Sequence, residues 1–394
     1  MLSTLPPELW YHIITDFIPN ELHDWESEVI IDRSYIRDLK TCSLVARAWL
    51  FPAQSALFHR IVVDFSYRGD PDLLAHASQL AEFLKQSPHL AVHVCSLFAT
   101  LSIDIFRLLS TMTLQNLRYI HIGGAEVDLR AEGLLPLVER VLGWESLRHL
   151  RLSDMEFSID IFAAILRSNL RLKGLHISRC AIGHFGSKLP TLPSVSHCPK
   201  ITHLSVARSP TIPEFLVYPG LPADLSGLQY VNVVGCATRE LRKFLDPRRA
   251  IVHWLTFELD DVVHDEEDRL LMGTEEFCPL EPMRFSAAKR LTIYVWSANT
   301  IAASLPIFSG IHRENVIEDI IYVVSAYATS GSRWDRTVEA AAVFEAAVLT
   351  LPLPKLARVE IRFSATLDVK AQSALYREAF PLLNIRELLF MTTY

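Results

Sequence analysis

Long apolar runs are missing from this 394-residue chain. The richest stretch, "AAAVFEAAVLTLPLP", is interrupted by Glu345 and two prolines. It falls short of the roughly 18 residues that a spanning helix needs. The N-terminus has no basic region ahead of an apolar core, so a signal peptide is not expected. Six cysteines (Cys42, Cys95, Cys180, Cys198, Cys236, Cys278) lie too far apart to outline a disulfide framework, which fits a reducing compartment. Positive charge is not in excess: the net charge is −7, and nothing global favours nucleic acid. Catalytic signatures are absent as well. The chain has no Gly-x-Ser-x-Gly elbow, Walker A loop, dinucleotide fingerprint or His-Glu-x-x-His helix. The expectation is an intracellular, non-enzymatic protein of cytoplasm or nucleus, with no cofactor, metal, membrane or nucleic-acid partner.

Apolar residues, by contrast, are abundant. Half of the chain is hydrophobic and 21% charged, with a mean hydropathy of +0.22. Those values exclude a disordered chain and point to much buried strand or leucine-rich helix. "LPPELWYHIITDF" places Leu9, Trp10, Ile13, Ile14 and Phe17 at helical spacing, giving a broad apolar stripe. Pro6-Pro7 and Glu8 suit a helix start, and Pro19-Asn20 ends it. "DLKTCSLVARAWLF" forms a second amphipathic segment, which Pro52 is expected to break, and "AQSALFHRI" supplies a short third turn. Three short helices bury little alone and lean on neighbours or on a partner.

Leu5, Pro6 and Glu8, then Ile13, then "CSLVARAW" from Cys42 to Trp49, then Leu57-Phe58, resemble an F-box. The resemblance implies docking on the Skp adaptor of a cullin–RING ubiquitin ligase. Carried over, the adaptor contacts are Leu5, Pro6, Leu9, Ile13, Ile14, Leu44, Val45 and Trp49. The chain departs from the family in "NELHDWESEVIIDRSYIR", Asn20 to Arg37, a longer link than usual, expected to be a surface loop. The module spans 1–60.

The rest, 61–394, carries a ladder of the form apolar-x-x-apolar-x-apolar. Its clear rungs are Leu117/Ile120/Ile122, Leu147/Leu150/Leu152, Leu172/Leu175/Ile177, Ile201/Leu204/Val206 and Leu228/Val231/Val233. Looser copies are Val252/Leu255/Phe257, Leu356/Val359/Ile361 and Ile385/Leu388/Phe390, with Phe58/Ile61/Val63 as a first rung. The repeat period resembles that of leucine-rich repeats, about 20–29 residues. Cys180 and Cys236 share the offset at which such repeats place Asn or Cys. Segments with helical spacing separate the rungs. The predicted fold is therefore α/β: a short all-α F-box followed by an irregular leucine-rich-repeat solenoid, parallel sheet inside and helices outside. Spacing is least regular between about 250 and 355.

Cys180, His184, His197 and Cys198 are the nearest approach to a metal set, but their spacing matches no common zinc pattern. The acidic stretch 260–268 lacks the glycine and terminal glutamate of a calcium loop. One surface stands out. Strand alternation turns Tyr119, His121, His149, Arg151, His176, His203, Tyr230 and Trp254 toward the solvent side of the sheet. That stripe reads either as polar cover or as a docking site for an acidic or phosphorylated segment. The functional expectation is a substrate receptor recruiting a target to the ligase. The alternative is a protein-binding scaffold unconnected to ubiquitination.

Overall fold

The computed structural model describes residues 33–45, 47–63, 71–100, 102–124, 134–182, 198–209, 211–216, 222–234, 252, 254–258, 288–295, 315–324, 342, 345–346, 348–350, 353–363 and 369–393. The chain forms two compact units, Met1–Leu172 and Lys173–Tyr394. Both are mixed α/β, built on parallel strands that recur with the ladder.

In the first unit, helix α1 (Arg33–Val45) packs on α2 (Arg47–His59), which runs directly into β1 (Arg60–Val63). Then come α3 (Pro71–Gln86), α4 (Pro88–Ala91), β2 (Ser96–Thr100), α5 (Ile103–Leu109), β3 (Tyr119–Gly123), α6 (Leu134–Leu142), β4 (His149–Ser153), the two-residue β5 (Glu156–Phe157) and α7 (Ile159–Arg167). Strands β1 to β4 pair in chain order, all parallel. Their inward row, Ile61, Leu97, Ile120 and Leu150, is buried. Each such side chain contributes about 1.5–3 kcal/mol on leaving water.

The twin sequences "SIDIF" at 102–106 and 158–162 open α5 and α7 alike. The Ser102 and Ser158 hydroxyls accept the N–H of Ile105 and Ile161, at 3.1 and 3.4 Å. Asp104 and Asp160 stand in the first turns, where the helix dipole favours an acid. Asn169, just past α7, ties its repeat to the one before. Its side-chain amide donates to the carbonyls of Leu142 (2.9 Å), Trp144 (3.3 Å) and Leu147 (3.4 Å).

The second unit carries β6 (Gly174–Ser178), β7 (Ala181–Ile182), β8 (His203–Ala207), α8 (Ile212–Leu216), β9 (Tyr230–Val234), β10 (Trp254–Glu258), β11 (Arg290–Val295), β12 (Asp319–Val324), β13 (Arg358–Phe363), α9 (Val369–Ala379), α10 (Pro381–Ile385) and β14 (Leu389–Thr393). From β6, omitting β7, the strands pair successively and in parallel to β14.

Two backbone devices repeat in both units. The carbonyl just before a strand accepts two successive N–H groups of the next rung. Cys95 serves Arg118 and Tyr119, Lys173 serves Thr202 and His203, and Glu318 serves Ala357 and Arg358. Just after β4, β6 and β8, Asp154, Arg179 and Arg208 turn the chain with φ of 57°, 50° and 48°. The sequence has glycine at the same offset in two other rungs, Gly124 and Gly235, the residue that region favours.

Several expectations are corrected. Pro52 does not break the helix. It sits inside α2, forgoing one backbone bond, while Ala53 beside it is fully buried. Helix α1 begins at Arg33, so Arg33–Arg37 is not loop: Ile36, Leu39 and Cys42 extend the helical spacing N-terminally. The stretch 20–32 lies outside the described residues. Phe390 does not point inward. Register pairs Leu389 with Val359 and Met391 with Ile361, so the last rung is slipped by one residue and every side chain changes face. Three rungs escaped the pattern: Val94/Leu97/Ala99, Ala288/Leu291/Ile293 and Ile317/Ile320/Tyr322.

Candidate functional site

The helical module has a small core of Leu39 and Ala56, against which Trp49 and Leu57 pack. Of the expected adaptor contacts, Trp49 is thus partly used up internally. Leu44 is the opposite case, 86% exposed on α1. Leu50 and Phe51 add exposed apolar surface on α2, Phe51 at 60%. Its ring meets His93 edge-on at 4.9 Å. Burial, and the charge of His89, lower the pKa of His93. Val45 closes α1. Leu5, Pro6, Leu9, Ile13 and Ile14 lie outside the described residues.

On the outward face of the first unit, register aligns Tyr119 with Ser96 and His149, and His121 with Phe98 and Arg151. Burial raises the pKa of the Tyr119 hydroxyl, opposed by the charge and hydrogen bond of Arg151 and by the charge of Arg60. Arg60, at the start of β1, was not foreseen from the ladder. The expectation that His121 faces solvent is wrong: it is 6% exposed. Strands about 4.8 Å apart press each side chain on its neighbours. The Phe98 ring lies 4.4 Å away, edge-on, and Nε2 is 2.8 Å from Ser153 Oγ. Gly123 makes room for that bond, because a Cβ there would stand 3.0 Å from Ser153 Oγ. A serine on an imidazole has the composition of a general-base pair. Both groups are buried, and the contact ties β3 to β4.

The second unit corrects the stripe further. His176 is 5% exposed, and Tyr230 is also buried. The same row continues through buried Ser205 and Asn232, whose amide donates to Ser205 Oγ at 3.2 Å. His203 is half-buried, with Nδ1 2.8 Å from Thr202 Oγ1 and its ring stacked on Tyr230 at 5.8 Å. Burial, then the charge of Lys173, lowers its pKa. It is therefore less readily protonated than an exposed histidine. Trp254 opens β10, in register with Tyr230 and Arg290.

The stripe reading also missed the charges at the far end of this unit. Arg290 donates to Asp319 through Nε and Nη2, at 3.1 and 2.9 Å. Glu360, buried in β13, meets Arg358 at 2.8 Å, Arg362 at 3.0 Å and the Thr392 hydroxyl at 2.5 Å. Burial works against its charge, but the bonds from Arg362 and Thr392 and the two arginine charges win, and its pKa falls. The alternation Arg-x-Glu-x-Arg in "RVEIRF" was the available signal.

Cys180 is buried. Its thiol donates to the Ser178 carbonyl at 3.3 Å, and its N–H donates to Ser209 Oγ at 2.9 Å. Ser209 holds the same offset in its own rung and was overlooked because serine was not on the expected pattern. Of the candidate metal set, His184 and His197 fall outside the described residues. Among the described residues no three His, Cys, Asp or Glu side chains cluster for a metal.

No protein-family model matches the chain, and no curated protein is significantly similar. A solved Bacteroides fragilis protein from a structural genomics programme aligns over 82% of each chain, with 13% identity and a TM-score of 0.37. A likeness of that degree is too weak to assign a function.

Proposed function

We propose that this chain is a non-catalytic substrate receptor of a Skp–cullin–F-box ubiquitin ligase, with the N-terminal helices holding the Skp adaptor and a leucine-rich-repeat-like body holding the target. The observation that carries the reading is Leu44. It stands in the Ser-Leu-Val stretch that resembles the F-box, yet it projects 86% exposed from a helix whose Leu39 is buried. Together with the exposed Leu50 and Phe51 of α2, it supplies apolar surface on the helical module that a partner would cover. The mechanism is proximity: tethering a target beside a ubiquitin-loaded enzyme raises its effective concentration without chemistry from this chain. No helix among the described residues is long and apolar enough to cross a membrane.

A second reading, a scaffold unconnected to ubiquitination, draws on the seam between α2 and β1. His59 accepts the N–H of Cys95 at 3.0 Å, and Phe58 stacks on Phe83 at 6.0 Å. These contacts suit a helical cap built into the first unit. Leu44→Asp separates the two. At so exposed a site the change alters stability by about 0.5 kcal/mol or less. Under the receptor reading it abolishes adaptor capture from a co-expressed Skp protein while the thermal midpoint stays put. Under the scaffold reading there is no capture to lose.

A further inference from the structure

We infer that the edge of β14 turned away from β13 is where two copies of this chain join. Each copy adds its β14 to that of the other, antiparallel, across a two-fold axis at Met391. The inference goes beyond the receptor reading and is independent of it. The first observation is the direction of the backbone groups. Val359 N–H donates to the Leu388 carbonyl at 2.7 Å, in a parallel register that pairs Val359 with Leu389. Successive residues of a strand turn their N–H and C=O groups to opposite edges. The groups of Leu388 and Phe390 therefore face β13, and those of Leu389, Met391 and Thr393 face away from it. None of the described strands pairs on that side. A row of such groups is a template for another strand.

The second observation is that nothing on the strand guards this edge. Lysine, proline or a bulge commonly blunts an edge strand, but "LFMTT" has no charge, proline or glycine. Its register with β13 runs without a bulge from Leu389 to Thr393. The apolar row is also left open. Val359 and Ile361 are fully buried, whereas Leu389 and Met391, next in that row, are only half-buried. Phe390 on the other face is exposed, as is Leu382 in α10, the helix tied to the strand by Leu388 N–H on the Leu383 carbonyl.

The occupant must offer the same backbone alternation, apolar side chains beside Leu389 and Met391, and no charge. A second β14 has all three. With the axis at Met391, that residue faces its mate and Leu389 faces Thr393, each pair exchanging two hydrogen bonds. Phe390 then stands opposite Thr392 on the other face. No like charges meet, because the strand carries none, and Arg358 and Arg362 one strand back are held by Glu360. An antiparallel strand at the edge of a parallel sheet is a common arrangement. The two-fold contact closes at two copies, whereas head-to-tail addition would leave a new edge and grow.

The test uses the full chain alone, its mass followed by light scattering and ultracentrifugation from dilute solution up to about 100 μM. The mass should rise from 44.6 kDa toward twice that value and stop there. Met391→Pro removes an N–H at the open edge but no bond to β13, a position where an edge strand tolerates proline. It should weaken dimerisation roughly tenfold or more. Phe390→Lys, in register with Glu360, brings two ammonium groups together across the axis. It should act in the same direction, which covers the case in which proline unsettles the strand. Met391→Cys gives a positive readout. Opposed residues of a hydrogen-bonded pair lie about 5.5 Å apart at Cα, within the span of a disulfide. Mild oxidation should therefore link two copies through position 391, as mapped by mass spectrometry. A wild-type chain that stays at 44.6 kDa, a mass that grows past two copies, or variants that dimerise as tightly as wild type would each overturn the inference. Adaptor capture is read separately. Two adaptors on a dimer keep the ratio at one to one, and failure to capture the adaptor counts against the receptor reading only.

Discussion

Replacing Asn169 by Asp changes one NH2 to an oxygen and leaves the shape intact, so it isolates a hydrogen bond from packing. Asn169 is 6% exposed. Its amide faces three carbonyls, with the Leu142 oxygen nearest at 2.9 Å, while its own oxygen accepts the Arg171 N–H at 2.8 Å. Aspartate keeps that acceptor but loses the donor, stranding the buried Leu142 carbonyl at a cost of roughly 1–3 kcal/mol. It also sets a carboxylate against carbonyl oxygens. A total near 3 kcal/mol corresponds to a fall of about 6–12 °C in the thermal midpoint of a unit this size. The assay is thermal unfolding followed by circular dichroism and calorimetry. Acid supplies a second check. The site favours the protonated acid, so the introduced carboxyl has a folded pKa above its unfolded value of about 3.9. Protonation restores a donor, so the deficit against wild type should shrink as pH falls from 7 to 4.5. An Asn169→Asp protein melting within a degree or two of wild type at pH 7 would refute the claim that this asparagine ties two repeats together.

Ser209→Ala removes the acceptor of the Cys180 N–H; a loss of about 1–3 kcal/mol is expected by denaturant unfolding. Ser102→Ala deletes the cap of α5 and should cost about 1 kcal/mol, whereas Ser158→Ala, with the longer 3.4 Å bond, should cost less. Glu360 has a depressed folded pKa, so its contribution is present above the unfolded value of about 4.3 and is lost as pH falls through the lower folded one. The stability gap between wild type and Glu360→Gln should therefore close on acidification below about pH 4. His203 also has a lowered folded pKa, so it supports the fold above about pH 6.5 and costs stability below it. Wild type should lose stability relative to His203→Gln between pH 7.5 and 5.5, as read by chemical denaturation.

The sequence revealed the strands where inward residues were large. Leu117/Ile120/Ile122 and its four successors are buried along β3, β4, β6, β8 and β9. It failed where the inward residue was Ala99 or Ala288, because a methyl group counts for little in an apolar pattern yet fills the same place between helix and sheet. The slip at Phe390 has the same root. "ELLFM" offers apolar side chains in both registers, and only pairing with β13 selects Leu389 and Met391. The stripe was legible as a row but not as a surface, since alternation tells which way His121 and His176 point and nothing of what lies beside them. Burial of those rings depends on neighbours such as Phe98, distant in sequence and adjacent in space. Arg60 escaped because the rung Phe58/Ile61/Val63, which follows directly on the F-box-like helices, stands out by its apolar residues alone.

The central claim, that the N-terminal helices hold a Skp adaptor, is tested most directly by co-expressing the full chain with such an adaptor. The complex is purified on a tag carried by the chain, and the stoichiometry is measured by light scattering. The account predicts a one-to-one complex that survives gel filtration and is absent for Leu44→Asp, whose own circular dichroism spectrum and thermal midpoint match wild type. A folded wild-type chain that elutes alone, or a Leu44→Asp chain that retains the adaptor as well as wild type does, would contradict it.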